Sequence, residues 1–359
     1  MIRRSSILTA LALVFGCGGG DDDAEATAGV TASPTSISVS GSSPSSDPTG
    51  TTPGGETGSA SDAGTTGASP PTTGDTNPPP KFDLGEPETT TGAELACPCA
   101  PKLDLIYVLS DDRELWTYDP GQNVFAMIGA LGCPTRDGTF SMGVGRDGKA
   151  WVQTSTAQGD ADVGDLFILD VNNPANCTDP GYAPGANGWQ HFGMGFVSNS
   201  VDDPCDRLYG QHWDGGNAGF TEGPSFGKLG LFDAVALQVN TIGATDYNGA
   251  ELTGTGDGRL YAFGGAPSAK LIQFDKANAQ VLETVPFADF PLTSAFAFAF
   301  WGGDFYFFTE GGVPNSKVTK LDYDNSDGGG KALTTVNTNA PIVIVGAGVS
   351  TCAPVFPPG

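Results

Sequence analysis

The chain has 359 residues with 41 acidic and 16 basic side chains, a formal charge of -25. The acid excess argues against nucleic acid and against anionic lipid headgroups as partners, since both are bound through stripes of Lys and Arg. It is compatible with cationic partners or divalent metal, although solubility alone accounts for it.

Arg3 and Arg4 precede an apolar run over residues 7–15. That run is too short to span a bilayer and has the form of a secretory signal, predicted to occupy residues 1–16. It ends in Val14, Phe15, Gly16 and Cys17. This ending resembles the bacterial lipobox, and the resemblance implies cleavage before Cys17 and attachment of a diacylglycerol to its thiol. A multiply acylated cysteine would hold the chain to a membrane without a transmembrane helix. The expected location is the cell envelope, at the outer membrane or the cell surface.

Residues 17–96 are dominated by Ser, Thr, Gly, Pro, Ala and Asp, with Phe82 the one aromatic and no basic residue between Arg4 and Lys81. Such a segment cannot bury enough apolar surface to offset its ordering entropy, so it reads as a disordered tether. Its random-coil end-to-end distance is on the order of 50 Å.

Residues 97–359 read as one all-β domain built of repeats. Each unit has a short apolar strand, a strand with a central aromatic, and a third strand ending in Asp. The aromatics are Tyr107, Trp151, Tyr209, Tyr261 and Tyr306; the terminal acids are Asp119, Asp170, Asp233, Asp275 and Asp322. A carboxylate at that point can accept backbone N–H groups two residues on and start a hairpin turn. Fourth strands are clearest at 124–129 and 239–243. First strands are expected at 140–145, 192–197, 252–256 and 295–300, and none precedes the unit of Tyr107. An orphan first strand lies at 342–350.

Four strands per unit of about 50 residues resembles a five-bladed β-propeller with short D-turn-G blade motifs. The resemblance implies a composite closing blade, in which the orphan C-terminal strand pairs with the three N-terminal ones. Ring closure of this kind removes exposed sheet edges. The six domain cysteines are Cys97, Cys99, Cys133, Cys177, Cys205 and Cys352. An even number in an exported domain implies up to three disulfides. Cys352 with Cys97 or Cys99 would replace the missing turn of the closing blade; Cys133 with Cys177, and Cys205 with the remaining cysteine, are the weaker pairings.

No coherent catalytic set stands out. Gly223 to Gly227 match G-x-S-x-G but precede a strand rather than a helix, so no nucleophile elbow is expected. Residues 322–328 begin like a calcium loop, but the glycine falls late and position twelve is Leu333. No cofactor or dedicated metal site is expected there, opportunistic calcium apart. Lead-ins to the first strands carry Asp137, Asp246, Glu251, Trp189 and His191, a conceivable sugar site; exposed loop acids are the favoured reading. Loops carrying Trp189, His212, Trp213 and Trp301 are the expected contacts. The function expected is binding of a protein or glycan at the envelope, and a five-bladed glycosidase-like hydrolase is the alternative.

Overall fold

The computed structural model describes residues 97–155, 164–214, 221–290, 292–293, 295–310, 315–325, 328 and 330–358. The signal segment, Cys17 and the tether over 17–96 lie outside the described residues.

Among the described residues, twenty strands form five four-stranded antiparallel sheets. The first complete blade contains β4 (Gly138–Val144), β5 (Lys149–Ser155), β6 (Asp165–Asp170) and β7 (Asn173–Thr178). The next contains β8 (His191–Ser198), β9 (Asp206–Trp213), β10 (Thr221–Asp233) and β11 (Gln238–Asn248). The third is β12 (Glu251–Gly254), β13 (Leu260–Gly264), β14 (Lys270–Phe274) and β15 (Val281–Pro286). The fourth is β16 (Phe296–Trp301), β17 (Asp304–Glu310), β18 (Ser316–Leu321) and β19 (Leu333–Asn337). The closing blade is composite: β20 (Ile344–Val349) pairs with β1 (Ile106–Ser110), followed by β2 (Glu114–Asp119) and β3 (Val124–Ala130). Its register runs from Ile106 opposite Val349 to Ser110 opposite Ile344. The innermost strands β4, β8, β12, β16 and β20 pack around one axis. The domain is a five-bladed β-propeller.

The repeat explains the packing. Each blade is covered on both faces by its neighbours, so its second strand must be apolar on both sides; Phe305, Phe307 and Phe308 are all fully buried. Five hydrophobic clusters form, one at each junction between blades. The periodic aromatics supply one ring to each. Tyr107 packs with Met142 and Val144, Trp151 with Phe232, Tyr209 with Leu252, Tyr261 with Phe305, and Tyr306 with Tyr118.

The terminal acids act as expected at four turns. Asp119 accepts the N–H of Gln122, Asp170 that of Asn172, Asp233 those of Val235 and Ala236, and Asp275 that of Ala277, at 2.9–3.0 Å. The fifth acid, Asp322, precedes a wider connection to β19, and the turn amide of Tyr323 is taken instead by Asp304 at 2.9 Å.

Five blades leave a narrow axis, and glycines on the inner strands let the backbones meet. A Cβ on Gly193 would lie 2.1 Å from the Ala250 carbonyl oxygen, and one on Gly254 2.2 Å from that of Phe196. Both obstacles are backbone and cannot swing aside. Gly193→Val is therefore expected to block closure between β8 and β12 and to leave little soluble, protease-resistant domain; wild-type-like resistance to limited proteolysis would refute this.

All six domain cysteines are paired: Cys99 with Cys352, Cys97 with Cys205, and Cys133 with Cys177. The choice left open for Cys352 falls on Cys99. The first two bridges lie at the end of the axis where the inner strands finish. There Arg146 donates from Nε to the Cys97 carbonyl at 3.0 Å and from Nη1 to Thr351 Oγ1 at 3.3 Å. Asp206 accepts the Arg146 N–H at 3.0 Å and the Thr351 hydroxyl at 3.1 Å. Burial pushes the Asp206 carboxyl up to about 6 against these bonds. This polar cluster and two disulfides tie the N-terminal segment, the C-terminus and two blades together on one face.

Candidate functional site

At the opposite end, where the inner strands begin, a cavity of about 120 Å³ opens along the axis. Its walls are Thr139, Phe140, Gly193, Trp213, Gly249, Ala250, Ala295, Phe296 and Val345, with Glu251 among them. All five blades contribute. Strand register puts them there: alternate residues of an inner strand face the axis, and the first residues of each strand form the rim.

The five inner strands carry two titratable side chains between them, His191 and Glu251. Glu251 is only 5% exposed. Among the described residues its carboxyl has one hydrogen-bond partner: Ser141, reaching across from β4, donates from Oγ to Oε2 at 2.7 Å. The same Oγ accepts the Met194 N–H at 3.1 Å, which fixes the hydroxyl between β4, β8 and β12. Desolvation by burial pushes the Glu251 carboxyl up to about 8, and the Ser141 hydrogen bond only partly opposes it. Burial thus favours the neutral acid, the form able to donate a hydrogen bond.

Above it stands an aromatic wall. Trp213 stacks on Phe140, with ring centroids 5.3 Å apart and planes within 2°. His191, fully buried, lies 4.8 Å from Phe140 and 5.5 Å from Trp213, centroid to centroid. The Thr139 hydroxyl is committed to the Ser110 carbonyl at 2.6 Å.

Of the residues expected at a site, three converge here: Glu251, His191 and Trp213. The expectation that the first-strand acids are exposed loop residues is corrected for Glu251, which is buried on β12 itself. Asp137, half-buried, bonds Thr135, and exposed Asp246 accepts the Ser225 N–H. Neither lines the cavity.

Trp189 is not a surface contact. It is fully buried, edge-on to Phe192 and His212, because its position before β8 tucks it between two blades. His212 follows it inward: neighbouring residues on β9 point to opposite faces, so Trp213 meets the cavity and His212 the inter-blade core. His212 Nε2 lies 2.9 Å from Gln190 Oε1, and burial first, then nearby Lys228, holds the imidazole down at about 4. Trp301 ends β16 on the other face, its Nε1 donating to the Asp104 carbonyl at 2.6 Å.

Ser141, Phe140 and Phe296 were missed as site residues. The available signal was a serine inside an otherwise apolar first strand at an axis-facing position. Gly223 to Gly227 lie within β10 at a register shift opposite β11 rather than in a loop ahead of the strand, so no nucleophile turn exists there. Asp304, Asp322 and Asp324 bring carboxylate oxygens within 4.8 Å of one another, and Lys320 Nζ sits 2.7 Å from Asp304. A lysine already supplies positive charge to that cluster.

A scan of protein-family models finds no match to this chain, and neither does a search of curated proteins. Among solved structures, TolB from Acinetobacter baumannii is similar at 13% identity and TM-score 0.36, over 65% of this chain and 52% of that one. The chain thus spans about half the length of that protein. A luciferin-regenerating enzyme is similar at 14% identity and TM-score 0.37, over 70% of this chain and 77% of the other. The Dos1 propeller gives 12% and 0.35, over 68% and 55%. Likenesses this low carry no argument about activity, and the propeller assignment rests on the chain's own strand order.

Proposed function

We propose that this chain is an exported envelope lipoprotein, anchored through Cys17, whose propeller binds a glycan or protein through the cavity-bearing face. The observation that carries the binding role is the cavity itself: aromatic walls around a single buried carboxyl. Ligand pockets combine an apolar lining with a few placed polar groups in this way. Glycoside hydrolysis, the alternative, requires two carboxyls about 5–10 Å apart. Among the described residues the cavity lining offers Glu251 alone.

Three disulfides are compatible with an oxidising compartment. No helix among the described residues is long and apolar enough to cross a membrane. A lipid on Cys17 would supply the attachment.

Two measurements test this reading. Mass spectrometry of the native N-terminus is expected to show a cleaved, acylated Cys17; an unmodified Cys17 would remove the anchor. A glycan-array and pull-down screen with the full chain in detergent is expected to give saturable binding without turnover. Release of sugar products from any bound glycan would replace binding with hydrolysis.

A further inference from the structure

We propose that the axial cavity recognises a small neutral group bearing a hydrogen-bond acceptor on an apolar body, such as an amide carbonyl, with Glu251 as donor and Ser141 fixing the direction of its proton. The proposal rests on the binding role given above and names the chemistry of that same site.

The argument is a count of protons. Ser141 has one hydroxyl hydrogen. Its Oγ accepts from the Met194 amide, and the hydrogen goes to Glu251 Oε2. Oε2 is therefore an acceptor, and the proton of a neutral Glu251 resides on Oε1. Among the described residues Ser141 is the carboxyl's one partner, so the Oε1 hydroxyl has the cavity as its outlet. A ligand oxygen placed there would complete the acid's hydrogen bonding, which a buried donor left without a partner lacks.

The walls set the rest of the ligand. Phe140, Trp213, Phe296, Ala295 and Val345 offer apolar contact, and the Thr139 hydroxyl is already engaged. A cavity of about 120 Å³ holds a group of only a few heavy atoms. The probe group would thus be an end of a larger ligand, an acetamido group or a side-chain amide.

A cation is the competing occupant, since the walls are aromatic and the chain is acidic. An ion pair with Glu251 would require both groups to be charged inside an apolar cavity, where each loses its hydration. The strands packed around Glu251 carry His191 on β8, beside the cavity; Asp206, Arg207, Tyr209 and His212 on β9; and Tyr261 on β13. His212 and Tyr209 face inter-blade cores, Asp206 bonds Arg146 at the opposite end of the axis, Arg207 is exposed, and Tyr261 packs on Phe305. No charged side chain comes from β4, β16 or β20.

The test uses the full chain and two small probes, N-methylacetamide and methylammonium, followed by ligand-observed NMR at pH 6 and pH 9.5. N-Methylacetamide is expected to bind saturably at pH 6 and at least tenfold more weakly at pH 9.5, as the donor-competent form is depleted. Glu251→Gln keeps an N–H donor, and its binding is expected not to depend on pH. Glu251→Leu is expected to lose binding. Ala295→Met, which fills the cavity while leaving the acid in the sequence, should lose it too, and the wild-type pH profile needs no variant at all.

Binding that is unchanged by pH, or that persists in Glu251→Leu, overturns the proposal. So does methylammonium binding that rises with pH, and so does a pH profile that vanishes in His191→Gln. If these fail while glycans or proteins still bind the full chain, the binding role stands and only this chemistry falls. If N-methylacetamide binds as expected while both screens stay empty, the wider role falls and the cavity chemistry remains.

Discussion

Replacing Cys99 and Cys352 together by serine is expected to cost the domain about 5 kcal/mol, with β20 the first element to open. The bridge spans 253 residues of sequence, and in the chain-entropy model a cross-link of that span restricts the unfolded chain by about that amount. The consequence is more local than the figure implies. β20 is held to the rest of its blade through β1 alone, and the Cys99–Cys352 bond stands where other blades have a covalent turn. Without it, strand pairing at the seam must meet the full entropy of joining two distant chain ends. Urea unfolding of the double variant should show a lower midpoint, and amide exchange should accelerate in residues 344–349 before it does in β12 or β16. The Cys133–Cys177 pair closes only 44 residues and lies within the sequence-local part of the chain. Its removal should cost about 1.5 kcal/mol less in the same model. A seam variant with unchanged β20 exchange and under about 1 kcal/mol of destabilisation would show that packing alone closes the ring.

The second large effect concerns Glu251 and pH. In the unfolded chain its carboxyl ionises near the ordinary 4.5, whereas in the folded domain burial holds it protonated up to about 8. Between those values the folded state binds the extra proton, so stability falls as pH rises, by up to about 1.4 kcal/mol per pH unit, and levels off above pH 8. From pH 5 to pH 8 this one residue should remove roughly 3–4 kcal/mol. Glu251→Gln has nothing to ionise, so its stability should lack that decline and exceed the wild type at pH 8. His212 runs the other way. Its folded value is depressed to about 4, so the neutral ring's contribution is lost as pH falls from 6.5 toward 4. Asp206, raised to about 6, adds a decline between its ordinary value and pH 6. Taking the difference between wild type and Glu251→Gln at each pH cancels both. Parallel stability curves for the two proteins from pH 5 to pH 8 would show that Glu251 is ionised in the folded domain, and would refute the neutral acid.

The architecture was legible because it is written in local chemistry. The recurring aromatics mark second strands, since each blade needs a large ring to fill the gap to the next. The recurring acids mark turns, since a carboxylate caps the amides that follow it. The orphan strand at the C-terminus and the missing one at the N-terminus then leave ring closure as the way to pair every edge. Cysteine positions followed the same logic at the seam, where the partner of Cys352 was ambiguous because Cys97 and Cys99 are two residues apart and both reach it; Cys133–Cys177 and the pairing of Cys205 rested on less.

The site was not legible to the same degree. Glu251 reads as one more acid in an acid-rich chain. What makes it different is that β12 begins one residue earlier than its pattern of Leu, Thr and Gly indicates, which carries the carboxyl from a loop onto the axis. Ser141 lies 110 positions away and meets it only because blades that are not adjacent in the ring face each other across a channel this narrow. Trp189 and Trp213 look equivalent in the sequence, yet one is sealed between blades and the other walls the cavity, a difference set by register. Amino-acid order by itself determined the blades, their turns and their closing seam, because these depend on neighbours in sequence or on a regular period. Only the tertiary structure decided which side chains meet on the axis, and with it which acid keeps its proton, because desolvation depends on what five separate blades place around one point.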